Sequence, residues 1–159
     1  MANRRSTAGS TVPEAVSRDR DGPSLALLTI RLIGRLRAHH VARLAAFGLS
    51  IPEANVLLHL QPDVPMPMSR LAGLMGFDRS NLTTVMTKLE RRGLVAPDEA
   101  ADRRVRLMRL TSDGVRVRDA VDADLSRDSP LTRGLDEADR AALARVLAGL
   151  GLDEISQQP

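Results

Sequence analysis

The sequence predicts a mainly α-helical domain carrying one small β-hairpin, and three observations support that expectation. Apolar residues recur at helical spacing, from Leu25, Leu28, Leu32 and Leu36 near the start to Ala142, Leu143, Val146, Leu147 and Leu150 near the end. Aromatic content is 1%, with Phe47 and Phe77 the only aromatic residues, so the core must be Leu, Val, Ala, Ile and Met. Such a core suits packed helices better than a β-sandwich. Finally, only residues 94–110 read as a sheet, two apolar ends around a polar tip. At 159 residues the chain is one ordinary domain with room for a real core.

Residues 1–22 are rich in Ser, Thr, Arg, Asp, Gly and Pro without periodicity and are expected to form a disordered tail. The first helix is expected over residues 24–47, with Leu25, Leu28, Leu32, Leu36, Val41, Leu44 and Phe47 on one face. Leu27, Ile30 and Ile33 add a second apolar face, so this helix needs two partners, one of which can be another subunit. Gly48 ends it. Ser50-Ile51-Pro52-Glu53 has the form of a capping box and opens a second helix that runs to about Leu60 and stops at Gln61-Pro62. A loop over residues 63–67 leads into a third helix at about 68–75. Gly76 supplies the turn, and Asp78 caps a fourth helix that ends at Arg92-Gly93.

The hairpin follows. Val105, Arg106 and Leu107 alternate, whereas Met108-Arg109-Leu110 blurs the pattern, so the return strand is expected to be short. Its polar tip lies at residues 98–104. Thr111 caps a fifth helix over about 112–127, Ser129-Pro130 breaks the chain, and Asp136 with Asp139 opens a sixth. The predicted domain spans 23–152. Helices at 23–47 and 112–152 flank a lobe at 50–110, and 153–159 form a C-terminal tail.

Composition narrows the function. A net charge of +3 is not that of a polycation. Lys88 is the sole lysine, so arginine carries the positive charge; GC-rich codon usage explains such an excess, and placement is what matters. The lack of aromatics argues against binding single strands by base stacking. With no cysteine, disulfides, thiolate metal sites and thiol redox sensing are excluded. No apolar run approaches the ~18 residues of a membrane span, and the N-terminus lacks a signal peptide's apolar stretch. A cytoplasmic location is therefore expected. No phosphate-cradling glycine loop and no Gly-x-Ser-x-Gly elbow is present, so no enzyme activity and no cofactor are expected. His39 and His40 are adjacent and point about 100° apart on a helix. His59 lies on another helix, so no metal site is expected.

The fourth helix is the most telling segment. Leu82, Met86 and Leu89 share one face with Val85 alongside, which leaves Ser80, Asn81, Thr83, Thr84 and Thr87 outward. A solvated helix normally carries better helix formers there. Short hydroxyls and amides suit base edges, the thymine methyl and phosphate. Arg79 in the first turn, and Lys88, Arg91 and Arg92 at the far end, suit the flanking backbone. Asp102-Arg103-Arg104 at the hairpin tip supplies arginines that can enter a minor groove, although Asp98 and Glu99 make the tip more acidic than a plain phosphate clamp. The candidate DNA-binding residues are therefore Arg79, Ser80, Asn81, Thr83, Thr84, Thr87, Lys88, Arg91, Arg103 and Arg104. The competing reading is a protein-interaction or scaffolding module without DNA binding, which would tend toward an apolar patch at these positions.

On these residues the chain resembles the MarR family of winged helix-turn-helix regulators, a bacterial type, over about residues 24–152. The carriers are Leu71-Ala72, the segment from Asp78 through LERRGLV, Asp102-Arg103-Arg104, and Leu110-Thr111-Ser112-Asp113-Gly114. The resemblance implies a homodimer with interlocked N- and C-terminal dimerisation helices, a recognition helix at 78–92 and a wing at about 94–110. It also implies a pseudopalindromic double-stranded DNA operator, usually repressed, with a small-molecule effector often relieving it. Effectors in the family occupy the cleft between the dimer helices and the DNA-binding lobe, within reach of His40 and Arg43. One departure is Ala96-Pro97, where family members often carry a charged residue.

Overall fold

The structure, a computed structural model, describes residues 22–98 and 106–151. All but residue 22 of the predicted 1–22 tail, the whole predicted 153–159 tail, and residues 99–104 of the predicted hairpin tip lie outside the described residues. Helix α1 (Leu25–Leu44) starts where Ser24 accepts a hydrogen bond from the Leu27 amide at 3.3 Å. It passes into a 3-10 turn at Ala45–Phe47 and stops at Gly48, whose φ of 61° is the left-handed conformation glycine adopts without strain. The predicted capping box is formed. Glu53 Oε2 accepts from Ser50 N at 2.7 Å, and α2 (Ile51–His59) follows with Pro52 in its first turn.

Strand β1 (Met66–Pro67) precedes α3 (Met68–Met75), and Gly76 turns the chain into α4 (Arg79–Arg91). Strands β2 (Val95–Pro97) and β3 (Leu107–Leu110) complete an antiparallel sheet of order β1-β3-β2, with Met66 opposite Met108 and Ala96 opposite Arg109. Two expectations are corrected here. The segment read as a loop at 63–67 contains a strand, because Met66 is buried against the sheet while Pro67 sits at a strand end where its missing N–H costs nothing. The return strand is the segment whose pattern looked blurred. Met108 and Leu110 are buried and Arg109 is exposed, so methionine acts as an inward apolar residue and the alternation holds.

Helix α5 (Ser112–Ser126) is fastened to the lobe at its first turn. Thr111 Oγ1 accepts from Gly114 N at 3.0 Å and donates to the Gly93 carbonyl at 2.6 Å, and Thr111 N donates to the Leu94 carbonyl at 3.1 Å. A Cβ on Gly114 would lie 1.9 Å from that same Leu94 oxygen, so only glycine fits. The short sequence joining the hairpin to α5 is thus a joint between α4's end and α5's start. Helix α6 (Glu137–Gly149) is capped by Asp136, whose Oδ1 accepts from Asp139 N at 2.8 Å.

The core is made by Leu57, Leu60, Leu71, Leu82, Met86, Leu89 and Met108, with Leu44 of α1 and Val121 of α5 closing it. The ends of the chain differ from this lobe. Helix α6 buries no residue and α1 buries only Leu44. Leu25, Ile30 and Ile33 are 82%, 67% and 58% exposed. Among the described residues no single helix is long and apolar enough to cross a membrane.

Candidate nucleic-acid interface

Asp78 sets the start of α4. Its Oδ1 accepts from Asn81 N at 2.8 Å and its Oδ2 from Asn81 Nδ2 at 2.7 Å. The helix then buries Leu82, Met86 and Leu89, which turns Arg79, Ser80, Asn81, Thr83 and Thr84 to the exposed side, with Thr87 half-buried. Lys88 and Arg91 stand exposed in the last turn. No acidic residue occupies the first turn. Arg79 adds positive charge at the helix's positive end, which the Asp78 carboxylate caps.

The hydroxyls are more constrained than their exposure suggests. Thr83 Oγ1 donates to the Arg79 carbonyl at 2.7 Å, Thr84 Oγ1 to Ser80 at 3.1 Å and Thr87 Oγ1 to Thr83 at 2.9 Å. These protons are committed to the helix itself. What the threonines offer outward is an oxygen lone pair and a methyl group, suited to a base amino group or a thymine methyl. Asn81, with one of its two side-chain N–H groups held by Asp78, offers its carbonyl and its second N–H. Arg79, Ser80, Lys88 and Arg91 add further donors on this face.

Arg92 behaves differently from its sequence neighbour Arg91. It donates from Nη1 to the Gly48 carbonyl at 2.8 Å and from Nη2 to the Phe47 carbonyl at 2.9 Å. The expectation that it meets phosphate is therefore corrected, because its fork satisfies the carbonyls that end the first helical segment. Nearby, burial pushes the Glu53 carboxyl up. The hydrogen bonds from Ser50 and the charges of Lys88 and Arg92 outweigh that and hold it below the ordinary carboxylate value.

Beside α4 lies the wing's base. Arg109, opposite Ala96, is exposed, so charge at this level comes from the return strand rather than from the position after Leu94-Val95. Arg106 Nη2 meets Glu90 Oε1 at 2.5 Å, joining wing to helix across 16 residues, a contact no local pattern marks. Arg103 and Arg104 lie outside the described residues.

The residues noted for the dimer-side cleft are rearranged. Arg43 reaches from α1 to Asp124 at 3.5 Å and Asp128 at 3.7 Å, so Asp124 is not the freely solvated carboxylate its position on an amphipathic helix suggests. His39 Nε2–H donates to the Leu125 carbonyl at 3.0 Å, and His59 Nδ1–H to Asn55 O at 2.7 Å. Burial, and then the charge of His39, lower the pKa of His40 below the usual histidine value. A cleft of about 420 Å³ between α1 and the α5–α6 connection is lined by Arg35, His39, Asp128 and Arg133, with neither His40 nor Arg43 in its wall.

A family model described as a helix-turn-helix family matches residues 37–156. Among solved structures, a MarR-family transcriptional regulator from Rhodococcus sp. RHA1 aligns with a TM-score of 0.70 at 24% identity, over 79% of this chain and 91% of that one. The apo form of wild-type MarR from E. coli aligns at 0.67 and 19% identity, over 82% and 98%. A Mycobacterium tuberculosis MarR-family protein in complex with salicylic acid aligns at 0.65 and 26% identity, over 82% and 98%. No curated protein sequence matches this chain.

Proposed function

The chain belongs to the helix-turn-helix family and has the fold of MarR-family regulators, and from that premise we propose that it is a sequence-specific reader of double-stranded DNA that regulates transcription in the cytoplasm. The observation that carries this reading is the outward face of α4. Its apolar side is buried, and its exposed side holds lone pairs, methyl groups and donors on Arg79, Ser80, Asn81, Lys88 and Arg91. Base readout in the major groove calls for that set, with arginine and lysine for the flanking phosphates. Arg103 and Arg104 on the wing are proposed to enter the adjacent minor groove.

The protein acts as a homodimer on a pseudopalindromic operator. Support comes from the apolar residues that α1 and α6 leave exposed, including Ile30, Ile33, Val146 and Leu150. A second copy of the same faces would cover them. Binding represses, and a small-molecule effector relieves it; support for the effector is the salicylic acid held by the M. tuberculosis relative.

Selection of bound DNA from a random duplex pool tests the reading. An enriched inverted repeat is expected, with affinity falling steeply as salt rises. A pool that never departs from its starting composition would overturn it.

A further inference from the structure

We infer that the Glu90–Arg106 ion pair fixes the wing's angle to α4, which makes both of them positioning residues for DNA reading; the inference rests on the function proposed above. Arg106 is the first described residue after the wing tip and directly precedes β3. Three bonds fasten the wing's base there. The Arg106 carbonyl accepts from Met68 N, at the start of α3, at 3.2 Å. The Leu107 carbonyl accepts from Asp98 N on the outgoing strand at 3.0 Å. The Arg106 side chain meets Glu90 in the last turn of α4 at 2.5 Å, across 16 residues of sequence. The backbone bonds fix the wing to α3 and to itself, and the ion pair adds a tie to the recognition helix.

Charge makes the placement of Glu90 informative. It lies between Lys88 and Arg91, on a turn suited to phosphate, where a carboxylate repels the polyanion. Its side chain is 26% exposed and that of Arg106 52%, so the pair contributes little to folding. Its value lies in orientation. A wing reading the minor groove and a helix reading the major groove must keep one spacing, and a small angular error at the base is magnified at the tip.

The sign of the Glu90→Gln effect separates this role from plain electrostatics. Removing a negative charge beside DNA should tighten binding if charge alone matters. Positioning predicts that Glu90→Gln weakens affinity for the selected operator, by up to about fivefold, the scale of one partly exposed ion pair. Hydroxyl-radical protection of the minor groove under the wing should fade, while guanine N7 protection under α4 persists. Glu90→Gln combined with Arg106→Gln should cost no more than Arg106→Gln alone, and exchanging the charges (Glu90→Arg with Arg106→Glu) should restore the wing's footprint. Equal or tighter binding by Glu90→Gln, or wing protection intact in that variant, overturns the inference and leaves the DNA reading standing. A wild-type protein with no footprint on any pool sequence removes the DNA reading and this inference together.

Discussion

The lobe from α2 to β3 and the terminal helices α1 and α6 are built from similar apolar residues and end in opposite conditions. In the lobe, Leu57, Leu60, Leu71 and Leu89 are each 0% exposed. On α1 and α6, Leu25, Ile30, Val146 and Leu150 are each more than 60% exposed. The lobe satisfies its hydrophobic demand within one chain, whereas the ends leave much of their apolar surface exposed in it. Helix α1 joins the core through the buried Leu44 and is tied to the end of α5 by Arg43 and His39. If the proposed dimer covers those faces, stability and assembly are carried by different residues, and substitutions should separate them.

The largest effect should come from opening the lobe. Leu89→Ala removes a fully buried side chain between α4 and the sheet and should cost about 2–5 kcal/mol. Urea unfolding followed by circular dichroism measures it. A loss below 1 kcal/mol would mean that the lobe is not the self-sufficient unit its burial indicates.

On the other side of the comparison, Ile33→Ala should leave the lobe's amide exchange protection unchanged and weaken self-association. Burying an isoleucine at an interface contributes roughly 1.5–3 kcal/mol, so the dimer's dissociation constant should rise by about tenfold or more. Sedimentation equilibrium reads the change. An unaltered dimer would move the interface off this face of α1, and lost protection in the lobe would erase the distinction between the two regions.

The joint between the regions should respond somewhat less. Gly114→Ala drives a Cβ into the Leu94 carbonyl and should destabilise by about 1–3 kcal/mol through forced backbone movement. Because the strain falls where α5 leaves the lobe, both the urea midpoint and the dimer constant should shift. A change in only one would show that the joint belongs to one region alone.

The sequence made one half of this comparison easier to read than the other. Caps were legible because each is a local pattern: Ser50 with Glu53, Asp78, Thr111 with Gly114, and Asp136 all act within three residues. The inward set of α4 followed from its period, whereas on α1 only Leu44 is buried and Leu25, Leu28 and Val41 of the expected inward face stand exposed. What escaped depends on side-chain direction or distant pairing. Arg91 and Arg92 look alike in sequence, yet only Arg92 points at the Phe47 and Gly48 carbonyls. Strand β1 is two residues long and exists only because Met108 lies opposite Met66. The Glu90–Arg106 pair joins elements whose meeting no local pattern records. In the candidate site, exposure of the α4 residues was legible, but the commitment of three threonine hydroxyls to the helix depends on side-chain rotamers that no sequence pattern records.

The smallest predicted effect uses pH to report the two regions separately. Glu53 belongs to the lobe, and its carboxyl is held below the ordinary value because the Ser50 bonds and the Lys88 and Arg92 charges outweigh the upward push of burial. The unfolded chain then takes up the proton more readily than the folded one, so stability rises with pH between the folded and ordinary carboxylate values. This contribution is complete above the ordinary carboxylate range and is lost as pH falls through the folded value. His40 belongs to α1, and its pKa is lowered by burial and then by the charge of His39. Neutral imidazole is favoured on folding, so its contribution also grows with pH, but in a higher window that closes at the ordinary histidine value. Glu53→Gln keeps an acceptor in the capping box but loses the charge that strengthens its bonds and faces Lys88 and Arg92, so it should cost about 0.5–1 kcal/mol at neutral pH. It should also flatten the acid limb of the melting temperature against pH while leaving the histidine limb in place. His40→Asn should do the reverse. If either substitution flattened both limbs, α1 and the lobe would be titrating as one unit, and the division drawn from their burial would fail.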